Sequence, residues 1–333
     1  MNIIVQKYGG SSLSNLDRMK IVAERIIQEK NNGNNIVVVV SAQGKTTNLL
    51  LEKAKEYSNY ENNIMSKRDL DFLLATGEMQ SASLLSILLN SMEHKSICIT
   101  GFQAGILTDS NFTNAKILDI ESKNIIELLN EEYIVIVTGF QGMDKFGNIT
   151  TLGRGGSDLT AVGLASSLKA KKCEIFSDVD GIYSADPRIV ENAKLLPYIS
   201  YDEMLEASSS GAKVLHNRSV NLAKNNNIPI ISKSSFNDSQ GSEVSNKFVS
   251  ENFDVTIISK VDNVSKITII GSMLKTNLNA LSKIYSLAQE NNITIHMITI
   301  SEISINLVVN SDVSNEFINI LHEKLIQNKS TID

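Results

Sequence analysis

Over residues 1–245, short apolar runs rich in β-branched side chains alternate with longer amphipathic segments, and this alternation limits the fold more than any other feature. The strand candidates are Ile3–Lys7, Ile36–Ser41, Ser96–Thr100, Tyr133–Gly139, Cys173–Asp178 and Pro229–Ser232. Helix candidates include Asp17–Lys30, Leu70–Asn90, Asn124–Asn130, Asp158–Ala170 and Tyr201–Ser208. Continuous runs such as Ile36–Val40 suit strands covered on both faces. The expected class is therefore α/β, a mainly parallel sheet sandwiched by helices. The strand runs fall far short of the roughly 20 apolar residues of a membrane span, so no membrane partner is expected.

A different pattern follows a polar stretch, Asn237–Asn252. Val255–Ile258, Lys266–Ile270, Ile293–Ile300 and Ser304–Val309 read as strands, and Leu278–Gln289 and Asn315–Leu325 as helices. That order, ββαββα, predicts a small α+β unit. The expected division is 1–245, a linker at 246–254, and 255–333.

A net charge of −6 and dispersed Lys and Arg argue against general nucleic-acid binding. Cys98 and Cys173 lie in no metal-binding spacing and read as free thiols. The opening MNIIVQKYGG leads into a strand without a leader-like apolar stretch. Together these give a cytoplasmic expectation. The four histidines show no ligand pairing, so no protein-held metal is expected.

The chemistry concentrates in loops after strands. In TLGRGGSDLTA, residues 151–161, Gly153, Gly155 and Gly156 open the backbone beside Arg154 and Asp158. A capped helix starting at Ser157 or Asp158 would complete an anion cradle, and Arg154 suits a carboxylate or phosphate. In VQKYGGSS a strand ends in Lys7 and then Gly9-Gly10, a phosphate site or a plain turn. SAQGKTTN is not a P-loop, because Val39 stands five residues before Gly44. Its hydroxyls leave a ligand loop and a helix cap equally open. Glu78, after Gly77, reads as a functional carboxylate or as a charge–dipole partner at a helix start. The run Ser177–Arg188 holds three Asp, with Tyr183 able to stack on a base and Arg188 to reach phosphate. Its carboxylates suit either a solvated turn or Mg²⁺ contact. Lys213 is a surface lysine or a nucleotide contact.

In order, VQKYGGSS, SAQGKTTN, TGEMQSASLL, TGFQG, TLGRGGSDLTA, DVDGIYSADPRIV and SYDEMLEASSSGAKVLH resemble the aspartokinases of the amino acid kinase family. The tail resembles an ACT domain, the small regulatory fold these enzymes carry. The resemblance implies transfer of the γ-phosphoryl of ATP to the side-chain carboxylate of L-aspartate, the first step towards lysine, threonine and methionine. ATP would come with Mg²⁺ as a substrate complex, without a tightly bound cofactor. Lys7 would neutralise the transferring phosphoryl, with Gly9 and Gly10 as backbone donors. Arg154 would hold the α-carboxylate, and Glu78 and Asp158 the ammonium. Ser41, Thr47, Phe140, Gly156 and Ser157 would complete the aspartate pocket. Ser177, Asp178, Tyr183, Arg188 and Lys213 would line the nucleotide pocket. An amino-acid effector would bind at the ACT-like unit, which would join two chains into a homodimer. The chain departs from the family at Tyr8, commonly Phe, at Asn217, commonly Pro, and at Ser272–Asn277, where a Pro-Gly effector turn is usual. A kinase with another acceptor and a non-catalytic amino-acid sensor are the alternatives. Arg154 and Glu78 argue against the first, and Lys7, Gly10, Asp158 and Arg188 against the second.

Overall fold

The computed structural model describes residues 1–58, 65–209, 214–246, 256–258, 262–271, 278–301 and 303–325. The chain forms two compact units, Met1–Ser259 and Lys260–Asp333.

The first unit is built on an eight-stranded sheet. Its centre is parallel: β1 (Ile3–Tyr8) lies between β2 (Asn35–Val40) and β9 (Lys172–Ser177). Beyond β2 come β6 (Ile134–Thr138) and β3 (Ser96–Ile99), and beyond β9 comes β11 (Ile230–Ser234). β12 (Ser242–Val244) joins β11 antiparallel, and β10 (Tyr198–Ile199) closes that side.

The pleat explains why these strands are apolar throughout. Val5, Val37, Val39, Val135 and Val137 face one core, and Ile4, Ile36, Val38, Ile134 and Ile136 the other. Each fully buried Val or Ile contributes roughly 1.5–3 kcal/mol over exposure. On the second face pack α1 (Leu16–Asn31) and α3 (Lys67–Ser91), through Val22, Ile26, Leu85 and Leu89. The first face is covered by α4 (Lys123–Asn130), α5 (Gly156–Ser167), α6 (Tyr201–Ser209) and α7 (Asn217–Asn226). α2 (Thr46–Ser58) lies on the surface with no buried residue. By length and composition α3 could cross a membrane, yet half of its apolar stretch is buried inside this unit.

Four short strands absent from the sequence expectation form a separate sheet in the order β5 (Ile117–Ile120), β4 (Ile106–Thr108), β7 (Gln141–Asp144) and β8 (Ile149–Thr151). β8 delivers the chain to the glycine loop before α5. The expected Ser or Asp cap of α5 is not used. The helix starts at Gly156, and Gly155, at φ 71°, stands in the cap position without a side-chain bond.

The second unit has β13 (Val264–Ile270), α8 (Leu278–Glu290), β14 (Ile295–Ile300), β15 (Ser304–Asn310) and α9 (Ser311–Leu325), with sheet order β13-β15-β14. Its own core includes Ile284, Leu307 and Phe317. The expected strand Val255–Ile258 is not seen in its described residues, 256–258. Ile257 instead packs on the first unit's core, and the Ile258 N–H donates to the Ser184 carbonyl at 2.8 Å. The segment Ser272–Asn277 lies outside the described residues.

Candidate active site

The loops that leave the carboxyl ends of β1, β2 and β6 meet the β8–α5 loop around a cleft of about 310 Å³. Crevices at this end of a parallel sheet are the usual ligand sites of open α/β folds. Lys7, Gly10, Ser41, Thr47, Glu78, Phe140, Arg154, Gly156, Ser157 and Asp158 all line it, with Ala42, Gly44, Gly153 and Gly155. Residues up to 151 positions apart in sequence, Lys7 and Asp158, thus come together.

Lys7 Nζ lies 2.7 Å from an Asp158 carboxylate oxygen, and both side chains are nearly buried. Asp158 sits in the first turn of α5, where a carboxylate is favoured by the helix dipole. Beside them the backbone is crowded. A Cβ on Gly10 would stand 2.6 Å from the Ala42 carbonyl oxygen, while the Gly44 N–H donates to the Gly10 carbonyl at 2.9 Å. Only glycine lets these two loops approach so closely. Gly155 is backed by His216, whose ring a Cβ would overlap at 2.6 Å.

Glu78 does not sit at a helix start. It lies in the middle of α3 and is buried. One oxygen accepts the Ala42 N–H at 3.0 Å, and the other meets no hydrogen-bond partner among the described residues. Burial pushes its carboxyl up to about 7, against the lowering effect of the Ala42 N–H. The group is therefore tuned to ionise near neutrality. Gly77 breaks nothing: its bare Cα allows Ala42 to pack against the helix, where a Cβ would meet that side chain at 2.8 Å.

Phe140 holds a left-handed backbone, φ 80°, which costs a bulky residue on the order of 1–3 kcal/mol. Its N–H donates to Thr160 Oγ1 at 3.2 Å and its carbonyl accepts the Leu152 N–H at 2.8 Å. These bonds hold the ring against Gly156, where a Cβ would come within 2.6 Å.

The nucleotide half is less assembled. Gly9 does not offer its amide to a ligand, because its N–H donates to the Phe176 carbonyl at 3.1 Å. Ser177 ends β9 and its hydroxyl accepts the Val179 N–H at 3.3 Å. Ser177, Asp178, Tyr183 and Arg188 do not line the cleft. Tyr183 donates to Asp180 at 3.3 Å, and Arg188 forks onto Asp186 at 2.7 and 3.0 Å while exposed to solvent. Lys213 lies outside the described residues. Among the described residues no cluster of three or more His, Cys, Asp or Glu could hold a metal ion. Cys98 and Cys173 are both free thiols, and Cys173 is buried.

Three residues that the motifs did not single out brace the cleft: Asp71, His216 and Arg218. Asp71 is fully buried on α3, seven positions before Glu78, and accepts the Thr151 N–H and hydroxyl at 2.8 and 2.7 Å. His216 caps α7, its Nδ1 accepting the Arg218 N–H. Burial and the neighbouring Arg218 hold its pKa below the usual value.

Comparison with known proteins matches residues 2–232 to the amino acid kinase family and 267–325 to an ACT domain. The chain is 46% identical over 299 residues to the aspartokinase of Bacillus sp. (strain MGA3), covering 90% of this chain and 71% of that one. E. coli aspartokinase III solved with aspartate and ADP, in the R-state, superposes with a TM-score of 0.74 at 27% identity over 96% of this chain and 83% of that one. The same enzyme with lysine and aspartate, in the T-state, gives 0.75 at 26% identity over the same shares. With the kinase-family match spanning most of the chain and the cleft at the expected sheet end, this chain belongs to the amino acid kinase family and, within it, to the aspartokinases.

Proposed function

We propose that the chain catalyses phosphoryl transfer from ATP to the side-chain carboxylate of L-aspartate, giving 4-phospho-L-aspartate and ADP. The observation that carries this reading is one cleft holding Lys7 against Asp158, the Arg154 loop, and a buried carboxylate with a spare oxygen. A carboxylate is already nucleophilic, so no general base is needed. Its oxygen bonds to the γ-phosphorus as the bond to the β-phosphate oxygen breaks. The remaining task is to align two anions and offset their charge. Arg154 holds the α-carboxylate, and Glu78 receives the ammonium on its spare oxygen. Asp158 orients the groups between them. Lys7, held by Asp158 before the nucleotide arrives, stabilises the charge on the transferring phosphoryl. Ser177, Asp178, Tyr183, Arg188 and Lys213 serve the nucleotide side, with Gly10 bordering the phosphates. Mg²⁺ enters with the triphosphate as part of the substrate. The free thiols support a reducing, cytoplasmic setting.

A coupled ADP-release assay with L-aspartate and a panel of other amino acids tests the reading. ADP release with aspartate alone supports it. Preference for another acceptor, or no turnover with any, overturns it.

Glu78 gives the assay a pH signature. Its carboxyl, raised to about 7, is neutral in acid, and only the ionised form pairs with an ammonium. KM for aspartate should fall as pH rises through about 7, and Glu78→Gln should lose that dependence. The sign for folding is opposite. A carboxyl raised above its unfolded value favours the folded state below the ordinary pKa of about 4.5, and that contribution is lost as pH rises through about 7. A flat KM profile in the parent chain would exclude Glu78 from the ammonium site.

The ACT-type unit supplies regulation and a homodimer contact. Among the described residues β13 and β14 are the edges of their sheet, and Ile270, Met297 and Ile300 are exposed. Such edges suit pairing with a second copy in a two-fold interface. An amino acid such as lysine or threonine would bind there and shift the kinase units between states of different activity. A chain ending at Ser259 keeps the Ile257 contact and should sediment as a monomer with no effector response. A dimeric fragment would remove the joining role from the second unit, and a still inhibited fragment would remove the regulatory role.

A further inference from the structure

Arg154 projects from a loop whose N-terminal flank, Thr151–Leu152, is held by charged side chains on two different helices, a fully buried Asp71 and a half-buried Arg218. The Asp71 carboxylate of α3 accepts the Thr151 N–H at 2.8 Å and hydroxyl at 2.7 Å, and the Thr113 N–H at 2.9 Å. One residue further on, the Arg218 guanidinium of α7 donates to the Leu152 carbonyl, and it also donates to Asn114 Oδ1 at 3.3 Å and to the Ala115 carbonyl at 3.0 Å. The segment 113–115 lies between these holds and is tied to the same strand end, the Ala115 N–H donating to the Thr151 carbonyl at 2.9 Å. It also presses on the loop, since a Cβ on Gly153 would come 2.9 Å from Asn114 Oδ1.

Two features argue that this arrangement is kept for direction rather than for stability. Asp71 is fully buried with no cation within ion-pair distance among the described residues, and burying a carboxylate is unfavourable even with three donors. Thr113 stands at φ 71°, a strained backbone for a β-branched residue, with its N–H aimed at Asp71. An apolar contact would hold the segment without either cost, but it would not fix angles. A carboxylate and a planar guanidinium do, because their acceptors and donors are directional.

We propose that Asp71 and Arg218 are positioning residues for the aspartate site: touching no substrate, they set the direction in which Arg154 leaves its loop. The inference rests on the reading of Arg154 as the α-carboxylate ligand. Binding of aspartate should therefore depend on both residues, and binding of ATP should not.

The test is a double-mutant cycle. Arg218→Met, Arg218→Lys and Asp71→Asn are each made in the parent chain and in Arg154→Ala. Then kcat/KM for aspartate, KM for ATP and the melting temperature are measured. In the parent background Arg218→Met should lower kcat/KM for aspartate about tenfold or more, with KM for ATP within about twofold and Arg218→Lys recovering part of the loss. In the Arg154→Ala background the same changes should alter kcat/KM by less than about twofold. Equal losses in both backgrounds, or parallel losses for ATP and aspartate, would assign Asp71 and Arg218 a structural role only. If Arg218→Met does not fold, Arg218→Lys and Asp71→Asn carry the same comparison. A parent chain inactive with aspartate would sink the functional reading, whereas an active parent with additive cycles sinks only the positioning role.

Discussion

Replacing Lys7 by alanine is expected to lower kcat roughly a hundredfold or more, the usual effect of losing one group that meets charge developing in a transition state. The ammonium lies 2.7 Å from Asp158 in a cleft where both side chains are nearly buried, so its field is weakly screened. KM for aspartate should change much less, because Arg154 and Glu78 remain. The substitution also leaves the Asp158 carboxylate without its cation, and a modest fall in melting temperature should accompany the kinetic loss. Lys7→Arg should not restore turnover, since a planar fork does not replace a compact ammonium on a mobile stem. Near-normal kcat in Lys7→Ala would reduce Lys7 to a cation beside a structural turn.

Arg154→Ala should have the opposite kinetic profile. Arg154 is exposed until substrate covers it, and truncating one partner of a charge pair that becomes desolvated on binding costs about 2–5 kcal/mol, so KM for aspartate should rise about thirtyfold or more. KM for ATP should stay near its normal value. Calorimetric titration with aspartate separates this from a folding defect, as the variant should keep its melting temperature. Unchanged aspartate affinity would remove Arg154 from the substrate site.

Both expectations rest on residues whose importance the sequence alone displays. Lys7, Arg154 and Asp158 stand beside glycines at strand ends, where local sequence alone implies an anion cradle. The central strands were equally legible, because Val37–Val40 and Val135–Val137 are apolar on both faces. The second sheet was not. Gln141, Asp144, Thr150 and Thr151 are polar yet buried, and strands of three or four residues carry too little alternation to register. α7, with the sequence NRSVNLAKNN, is too polar to announce a helix, and it is held by its His216 cap and by buried Ser219, Val220 and Ala223. The helix Leu70–Asn90 is legible around Glu78, but the charge–dipole alternative for Glu78 treats Gly77 as a break, whereas the bare Cα there serves contact with Ala42. Asp71 and Arg218 escaped altogether, since their partners lie 42 to 104 positions away in sequence. Long-range hydrogen bonding leaves no local trace.

α3 carries Asp71 towards the strand end below Arg154 and Glu78 towards the Ala42 loop. Seven residues are nearly two turns, so the two carboxylates leave the helix about 20° apart in azimuth and roughly 10 Å apart along its axis. The helix thus works as a ruler between the two walls of the cleft. Substitutions on its outer face, at Phe72, Leu84 or Ile87, leave that gauge intact. A single inserted residue between Asp71 and Glu78 would swing one carboxylate by about 100° relative to the other. Natural or engineered length variation in this chain is therefore expected outside that interval, however well the inserted residue itself suits a helix.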